Sequence, residues 1–261
     1  MTYDGGKNAP GVIHAIAREM PPHLVRVELF GGSFPTLRLV KPAALNIGMD
    51  LDARAVRAAW AHADLKRIEI EHVSAIDWLR GMFPVQYELD GTATARTAAV
   101  QRAPMRLHGR WFTPDKILLY ADPPYLISTR AYQRDLYRHE LKSEEEHAEL
   151  LEQLTHLPCL VMLSGYRSAL YDRTLHAWRR VDFAAMTRRG PRVESLWCNF
   201  PAPAALHDAS FAGLNHRERW NLTKRKRSWT RKLAAMPAHE RQAIREALAA
   251  VDAGSGVASS G

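Results

Sequence analysis

Four consecutive residues carry the clearest chemistry in this chain: Asp122, Pro123, Pro124 and Tyr125. The carboxylate and the carbonyls of the stiff proline backbone are hydrogen-bond acceptors, and the tyrosine ring is a flat stacking surface. This set suits a planar heterocycle with an exocyclic amine, because the ring can stack while the oxygens accept hydrogen bonds from the NH2 group. Taken alone, the same residues are equally consistent with a strand that ends in an ordinary proline turn.

The residues just before this group predict its place in the fold. Residues 117–121, Ile-Leu-Leu-Tyr-Ala, form a short apolar run followed by chain breakers, which is typical of a buried strand. Prolines cannot donate to a sheet ladder, so the strand must end at Asp122. In open α/β sheets ligands bind at the carboxyl ends of the strands. The sequence therefore predicts a ligand site immediately after this strand.

Apolar runs and helical segments alternate along most of the chain. Further strands are expected at residues 24–29, 45–49, 65–70, 159–163 and 193–198. Helices are expected at residues 53–63, 74–79, 143–156 and 237–251, the third opened by the capping box Ser143-Glu144-Glu145-Glu146. This order predicts an α/β protein with a mainly parallel, doubly wound Rossmann-like sheet and helices on both faces.

Other segments suit a nucleotide-containing cofactor. The strand at 24–29 is followed by Phe30-Gly31-Gly32-Ser33, a glycine turn where Rossmann-like proteins bind such cofactors. The next strand ends near Asp50, a candidate for the ribose hydroxyls, whereas Asp52 fits the N-cap of the following helix. Near the amino terminus, Gly5-Gly6-Lys7 combines glycines that allow close approach with a cation. The absence of Gly-x-Gly-x-x-Gly and of a Walker lysine disfavours NAD and ATP.

The composition restricts the class of protein. The 261 residues, 46% of them hydrophobic, suffice for one large domain with a substantial core, and the net charge of +8 favours a polyanionic partner. No apolar stretch approaches the ~20 residues that span a bilayer, and residues 1–10 lack a signal-peptide pattern. Cys159 and Cys198 lie in apolar runs and are expected to be core thiols. We therefore expect a cytoplasmic protein without membrane segments.

Two segments depart from the alternation. Residues 82–112 are polar, contain the hairpin signal Asp90-Gly91 and are interpreted as an insert. This insert is either a surface excursion or a small target-recognition element with four arginines: Arg96, Arg102, Arg106 and Arg110. Residues 201–252 are predicted to form a basic C-terminal extension, and residues 253–261 a disordered tail.

The basic extension interleaves Trp220 and Trp229 with Lys and Arg, as phosphate contacts and packing require. A solvated basic helix without a partner is the alternative. The candidate nucleic-acid-binding residues are Arg217, Arg219, Lys224, Arg225, Lys226 and Arg227.

Taken in order, these motifs resemble the Dam-like class of adenine-specific DNA methyltransferases, most closely its phage and prophage members. The matching motifs are Gly5-Gly6-Lys7, Glu28-Leu29-Phe30-Gly31-Gly32-Ser33, Asp50-Leu51-Asp52, Tyr120-Ala121-Asp122-Pro123-Pro124-Tyr125, Ser164-Gly165-Tyr166 with Leu170-Tyr171-Asp172 and Trp178-Arg179, and Glu194-Ser195-Leu196-Trp197-Cys198-Asn199. The resemblance spans roughly residues 3–200, so residues 1–81 and 113–200 are predicted to form the catalytic domain.

The resemblance implies an enzyme that transfers the methyl group of S-adenosylmethionine to N6 of adenine in DNA, without a metal ion. The residues implied to hold the target adenine and to carry the catalysis are Asp122, Pro123, Pro124 and Tyr125. The implied cofactor contacts are Tyr3, Gly6, Lys7, Phe30, Gly31, Gly32, Asp50 and Asp122. The expected partner is an adenine-containing DNA duplex, bound by a monomer or a weak dimer.

Two alternatives stay open at this point. Adenine in RNA presents the same NH2 group to an acid-Pro-Pro-aromatic site, and a non-catalytic nucleic-acid-binding protein could retain a methyltransferase-like core. Enzymes for cytosine N4 and for protein amides more often open the motif with Ser and Asn, which argues against both. The recognition sequence and the biological role (anti-restriction, regulation or a restriction pair) are not determined by the sequence.

Overall fold

The helices and strands follow the predicted order for most of the chain. The computed structural model describes residues 7, 10–62, 68–83, 103–129, 141, 143–187 and 190–255. Its helices are α1 Pro10–Ala17, α2 Pro35–Leu39, α3 Ala53–Ala61, α4 Ala75–Met82, α5 Glu144–Thr155, α6 Ala169–Thr174, α7 His216–Ala235 and α8 Ala238–Ser255. Its strands are β1 Val25–Leu29, β2 Leu45–Asp50, β3 Glu69–His72, β4 Met105–Leu107, β5 Arg110–Phe112, β6 Ile117–Ala121, β7 Leu160–Gly165, β8 Arg179–Thr187 and β9 Gly190–Cys198.

Seven of these strands form one sheet in the order β3-β2-β1-β6-β7-β9-β8. The first five are parallel neighbours, and β9 runs antiparallel to both β7 and β8. If only the strands of this sheet are numbered, the first five follow the 3-2-1-4-5 order of doubly wound folds. The predicted Rossmann-like fold with helices on both faces is confirmed. The antiparallel β9 brings its amino-terminal half to the edge where the parallel strands have their carboxyl ends.

The alternating residues of β1, Val-Arg-Val-Glu-Leu, divide the interior into two parts. The three apolar side chains of β1 belong to a large cluster that includes Leu79 of α4 and Leu150 of α5. A smaller cluster contains Phe34, Leu37 of α2 and Ala59 of α3. Because burying one such large side chain contributes about 1.5–3 kcal/mol, these clusters fix the helices on the sheet.

The two charged residues of β1 are buried as completely as its apolar ones. Arg26 donates to the carbonyl oxygen of Lys41 at 3.0 Å. Glu28 accepts hydrogen bonds from the hydroxyl of Thr36 at 2.7 Å and from the backbone N–H of Leu37 at 3.0 Å. Burial raises the pKa of Glu28 to about 7. These contacts tie β1 to α2 and to the segment that follows it.

The structure differs from the predicted elements in several places. Helices α1 and α6 and strand β8 were not expected, and β3 begins at Glu69 rather than at residue 65, with residues 63–67 outside the described part. Within the predicted insert, β4 and β5 form an antiparallel hairpin that turns at His108 and Gly109. The hairpin signal at residues 90–91 and two of the arginines, at positions 96 and 102, lie outside the described residues.

The chain divides into two compact units, Met1–Ala209 and Ser210–Gly261. Residues 201–209 belong to the first unit, where the His207 ring stacks on His23 with centroids 3.8 Å apart. The thiols of Cys159 and Cys198 are buried in this unit, as predicted.

The second unit contains α7 and α8. The side chain of Asn215 caps α7 by accepting from the backbone N–H of Glu218 at 3.0 Å. Helix α8 extends to Ser255, beyond its expected end, and residues 256–261 of the predicted tail lie outside the described residues. Among the helices that the structure describes, none combines the length and the apolar composition that a bilayer crossing requires.

Candidate active site

The carboxyl ends of β2, β1 and β6 lie side by side at one edge of the sheet. Leu29 of β1 pairs with Ala121 of β6, so the glycine turn and the Asp-Pro-Pro-Tyr segment both begin directly after paired positions. The backbone N–H of Asp122 donates to the carbonyl of Leu29 at 3.4 Å. Strand connections diverge between β1 and β6, which opens a crevice at this edge. The structure therefore brings three of the predicted groups together there: residues 30–32, Asp50 and residues 122–125.

The glycine turn is held against β2 by its backbone. The N–H of Gly31 donates to the carbonyl of Met49 at 2.9 Å. A Cβ atom on Gly31 would overlap the ring of Phe34, so this position cannot carry a side chain without a rearrangement. A Cβ on Gly32 would meet no atom within 4 Å, although φ of +53° disfavours any side chain there. Gly32 therefore leaves open space beside its backbone.

The carboxylate of Asp50 is oriented by backbone donors. Its Oδ2 accepts from the N–H of Gly32 and its Oδ1 from the N–H of Asp52, each at 2.7 Å. These two donors fix the direction of the carboxylate at the end of β2. Asp52 itself accepts from the N–H of Arg54 at 2.8 Å, which confirms the predicted N-cap of α3.

Asp122 lies in a cluster of charged and phenolic groups with Lys7, Tyr125 and Glu194. The ammonium of Lys7 is 2.9 Å from Asp122 Oδ1 and 3.3 Å from Glu194 Oε2, and it donates to the hydroxyl of Tyr125. The side chains of Lys7 and Glu194 are 2% and 5% exposed, whereas that of Asp122 is 19% exposed. Asp122 and the half-buried Tyr125 are therefore the members of the cluster that a ligand can reach.

Burial and neighbouring charges act in opposite directions on this cluster. Burial raises the pKa of Asp122 to about 6, Glu194 contributes to the increase, and Lys7 opposes it. Burial also lowers the pKa of Lys7, but the two carboxylates outweigh that effect and leave it above its ordinary value. At neutral pH Asp122 is therefore an ionised acceptor beside a charged ammonium.

The ring of Tyr125 is fixed at both ends. Its hydroxyl binds Lys7, and its ring packs against that of Tyr166 with centroids 4.4 Å apart at 56°. The guanidinium of Arg192 lies 4.1 Å from the centroid of Tyr166 and donates to the carbonyl of Thr129 at 3.0 Å. The orientation of the Tyr125 ring is thereby set within the protein itself.

Glu194, Tyr166 and Arg192 were not among the predicted site residues. Glu194 and Tyr166 nevertheless lie in two of the motifs that carry the family resemblance. Their position follows from strand direction: Gly165 of β7 pairs with Ser195 of the antiparallel β9, which places the residues beside this pair at the carboxyl edge. The sequence signal that could have identified Glu194 is an acidic residue at the start of an apolar strand. The direction of β9 could not be inferred from the sequence.

Two of the predicted cofactor contacts, Tyr3 and Gly6, lie outside the described residues. The predicted nucleic-acid-binding residues all lie on α7, a helix without buried residues. Lys224 lies 5.1 Å from the ring centroid of the exposed Trp220. Among the described residues, no group of three or more His, Cys, Asp or Glu side chains could hold a metal ion.

No family model and no curated protein sequence matches this chain. Among solved structures, it is similar to precorrin-8w decarboxylase from Methanobacterium thermoautotrophicum, with 12% identity, TM-score 0.42, and coverage of 77% of this chain and 100% of the other. It is also similar to the ribosomal protein L11 methylase of Lactobacillus delbrueckii subsp. bulgaricus, with 16% identity, TM-score 0.41, and coverage of 75% of this chain and 81% of the other. A third similar structure is magnesium protoporphyrin IX methyltransferase from Synechocystis PCC 6803, solved with bound SAM. The identity is 11%, the TM-score 0.38, and the coverage 69% of this chain and 71% of the other. Residue roles in this chain therefore rest on the geometry of its own site.

Proposed function

We propose that this protein is an S-adenosylmethionine-dependent methyltransferase that methylates N6 of adenine in DNA. The observation that carries this proposal is the cluster at the end of β6, where the partly exposed Asp122 follows a buried strand and its neighbours Lys7 and Tyr125 are already fixed. Adjacent to it lie the glycine turn and Asp50 at the ends of β1 and β2.

The residues at this edge fit the proposed cofactor. The open space at Gly32 allows its backbone to approach a ligand, and the carboxylate of Asp50 at the end of β2 is the proposed acceptor for the ribose hydroxyls. A site with more carboxylates than ammonium groups suits a ligand that carries a sulfonium cation. When bound, the cofactor supplies an electrophilic methyl group, so the protein has to provide orientation and electrostatics. The proposed contacts are Tyr3, Gly6, Lys7, Phe30, Gly31, Gly32, Asp50 and Asp122.

The acid and the adjacent proline act on the amine of the base. The lone pair of an adenine NH2 group is delocalised into the ring, which makes it a poor nucleophile. Hydrogen bonds to Asp122 and to the carbonyl of Pro123 localise the lone pair and stabilise the positive charge that develops on nitrogen. Stacking on Tyr125 holds an everted base, and eversion from a duplex costs roughly a few kcal/mol.

Helix α7 supplies the proposed nucleic-acid contacts. Five of its residues recur at spacings of three and four and therefore share one face: Arg217, Trp220, Lys224, Arg227 and Arg231. All five are exposed. Basic side chains around a flat aromatic ring suit a phosphate backbone, because phosphate contacts supply most sequence-independent affinity.

The reaction is tested by incubating the purified protein with tritium-labelled S-adenosylmethionine and either duplex DNA or RNA. We expect label in DNA, on N6 of adenine, and none with Asp122→Asn. Label in RNA alone would replace the proposal by its RNA alternative. Modification-sensitive sequencing of DNA from a methylase-free host that expresses the protein would then identify the recognition sequence.

The nucleic-acid face is tested by the salt dependence of DNA binding. A Lys224→Ala/Arg227→Ala/Arg231→Ala variant removes three charges from the proposed face. A matched variant, Arg225→Ala/Lys226→Ala/Lys232→Ala, removes three charges from the rest of the helix. Because each phosphate contact contributes about 0.9 to the slope of log Kd against log salt, the first variant should lower the slope by roughly 2–3 and the second by less than about 1. Equal losses would contradict this assignment.

A further inference from the structure

The buried cluster contains one residue more than the proposed reaction requires. Lys7 alone could orient Tyr125 and pair with Asp122, yet Glu194 also lies 3.3 Å from its ammonium. Glu194 is on β9, is 5% exposed and is too deeply buried to be a surface ion pair. A second buried carboxylate costs desolvation energy, which a neutral residue of the same shape would avoid.

We propose that Glu194 is a positioning residue that divides the ammonium of Lys7 between two carboxylates and so keeps Asp122 a stronger hydrogen-bond acceptor. This inference rests on the proposed function only in taking Asp122 as the acceptor for the amine.

The geometry of the ammonium supports this division. The ammonium of Lys7 lies 2.9 Å from Asp122 and donates to the hydroxyl of Tyr125, while Glu194 at 3.3 Å interacts with it as an ion pair without a hydrogen bond. Without Glu194, Lys7 would neutralise Asp122 as a single ion pair. The acid would then be a weaker acceptor and would stabilise less of the positive charge that develops on the amine.

The charges of Lys7, Asp122 and Glu194 also set the net charge of the cluster. One ammonium and two carboxylates leave an excess of one negative charge, which favours a cationic ligand and the developing cation in the transition state. Removing the Glu194 charge makes the cluster neutral. Removing the Lys7 charge instead places two carboxylates together, so that one of them retains a proton near neutral pH.

Among the residues that the structure describes, the titratable and charged groups that act on Asp122 come from five parts of the first unit: residue 7, β6 with its following loop, β7 with its following loop, α6 and β9. They are Lys7, Tyr120, Tyr125, Tyr166, Tyr171 and Glu194. The four tyrosines are neutral near pH 7, because burial raises the pKa of each above its usual value. Lys7 and Glu194 are therefore the charges that set the ionisation of Asp122.

The test is a titration of Asp122 by carbon NMR in protein labelled at the aspartate carboxyl carbons, without cofactor or DNA. The Asp122 resonance is identified by its loss in Asp122→Asn. We expect a midpoint of about 6 in the wild type, because burial and Glu194 raise the pKa of this acid. Glu194→Gln should lower the midpoint by about one pH unit, and Lys7→Met should raise it by about one or more. The control Glu69→Gln, on the exposed end of β3, should leave it unchanged.

The pH profile of methyl transfer gives a second readout. Activity requires ionised Asp122, so it falls as the pH decreases through the Asp122 midpoint. Glu194→Gln should move this acid limb to lower pH while lowering the plateau rate about tenfold, a combination that a structural role alone would not produce. Lys7→Met should move the limb to higher pH and recover part of its activity near pH 9.

The outcomes separate this inference from the proposed reaction. An unchanged Asp122 midpoint in Glu194→Gln would overturn the inference, and because Gln is nearly isosteric with Glu, this variant decides even if Lys7→Met fails to fold. Shifted midpoints in a protein that methylates neither DNA nor RNA would support the charge division while overturning the proposed function.

Discussion

Two acids stand at strand ends on either side of β1 and are held in different ways. Asp50, after β2, is oriented by the backbone N–H groups of Gly32 and Asp52. Asp122, after β6, is oriented by the ammonium of Lys7 and shares that ammonium with Glu194. Backbone donors fix the direction of a carboxylate whatever side chains lie nearby. An ammonium fixes the direction and also influences whether the carboxylate is ionised.

The difference indicates a division of labour at the sheet edge. The β2 end is a rigid receptor built from main chain, which suits recognition of a constant cofactor group. The β6 end is an electrostatic site whose acceptor strength depends on its neighbours, which suits a reacting amine. Substitutions at the two ends should therefore affect different quantities, and the first three of the following predictions go from the largest expected effect to the smallest.

Asp122→Asn should have the largest effect. The substitution keeps the shape but removes the charge that stabilises the developing cation, so the rate of methyl transfer should fall by about two to three orders of magnitude. Lys7 retains Glu194 as a partner, so the thermal midpoint should change little. Single-turnover kinetics and thermal unfolding measure the two quantities. A near-normal rate would contradict the role of this acid.

Gly31→Ala, at the backbone-built end, should have the second-largest effect, a loss of stability. Its Cβ would overlap the Phe34 ring, and overpacking of this kind costs about 1–3 kcal/mol. Gly81→Ala in α4 is the matched control, since its Cβ meets no atom within 4 Å and alanine should stabilise the helix by up to about 1 kcal/mol. Urea unfolding compares the variants. Equal stability of both variants would show that Phe34 does not require this glycine.

Asp50→Asn should have a smaller effect on stability and a separate one on the cofactor. The amide can accept at its oxygen only, so one of two backbone N–H groups loses its acceptor, at a cost of about 1 kcal/mol. The affinity for S-adenosylmethionine, measured by calorimetry, should fall while the rate at saturating cofactor stays within a few-fold of wild type. A rate loss as large as that of Asp122→Asn would remove the distinction between the two ends.

The pH dependence of stability should also differ between Asp122→Asn and the wild type. Burial raises the pKa of Asp122 to about 6 from an ordinary value near 3.8, so the folded state binds a proton more readily than the unfolded state between these values. Stability from this group therefore falls as the pH rises through that range. Asp122→Asn lacks this term and should gain about 2 kcal/mol relative to wild type between pH 4 and pH 7.5. Urea titrations at the two pH values test it, and a constant difference would argue against a raised pKa.

The parts of the fold that were predictable are those with strong local signals. The strand at residues 117–121, the capping box at Ser143 and the N-cap at Asp52 agree with the structure because apolar runs, breakers and caps act over a few residues. The mainly parallel sheet followed from the alternation of strands and helices.

The parts that were missed depend on contacts between distant residues. Arg26 and Glu28 are buried in a central strand, where they bind partners from the region of α2, and no local pattern shows this. Glu194 reaches the site because β9 enters the sheet antiparallel. The roles proposed for residues 30–32 and for Asp50 follow from the order of the strands, which places the ends of β1 and β2 side by side. The charge balance around Asp122 depends instead on side chains from distant parts of the chain, which the sequence does not bring together.

The placement of Lys7 has a consequence for biosynthesis. Its hydroxyl acceptor on Tyr125 follows 118 residues later in the chain, and its second carboxylate partner later still, on β9. At about 5–20 residues per second, roughly ten seconds or more of elongation separate the lysine from this last partner. Completion of the Lys7 cluster is thus a late event in synthesis, because nascent fragments that end before β9 lack the Glu194 carboxylate.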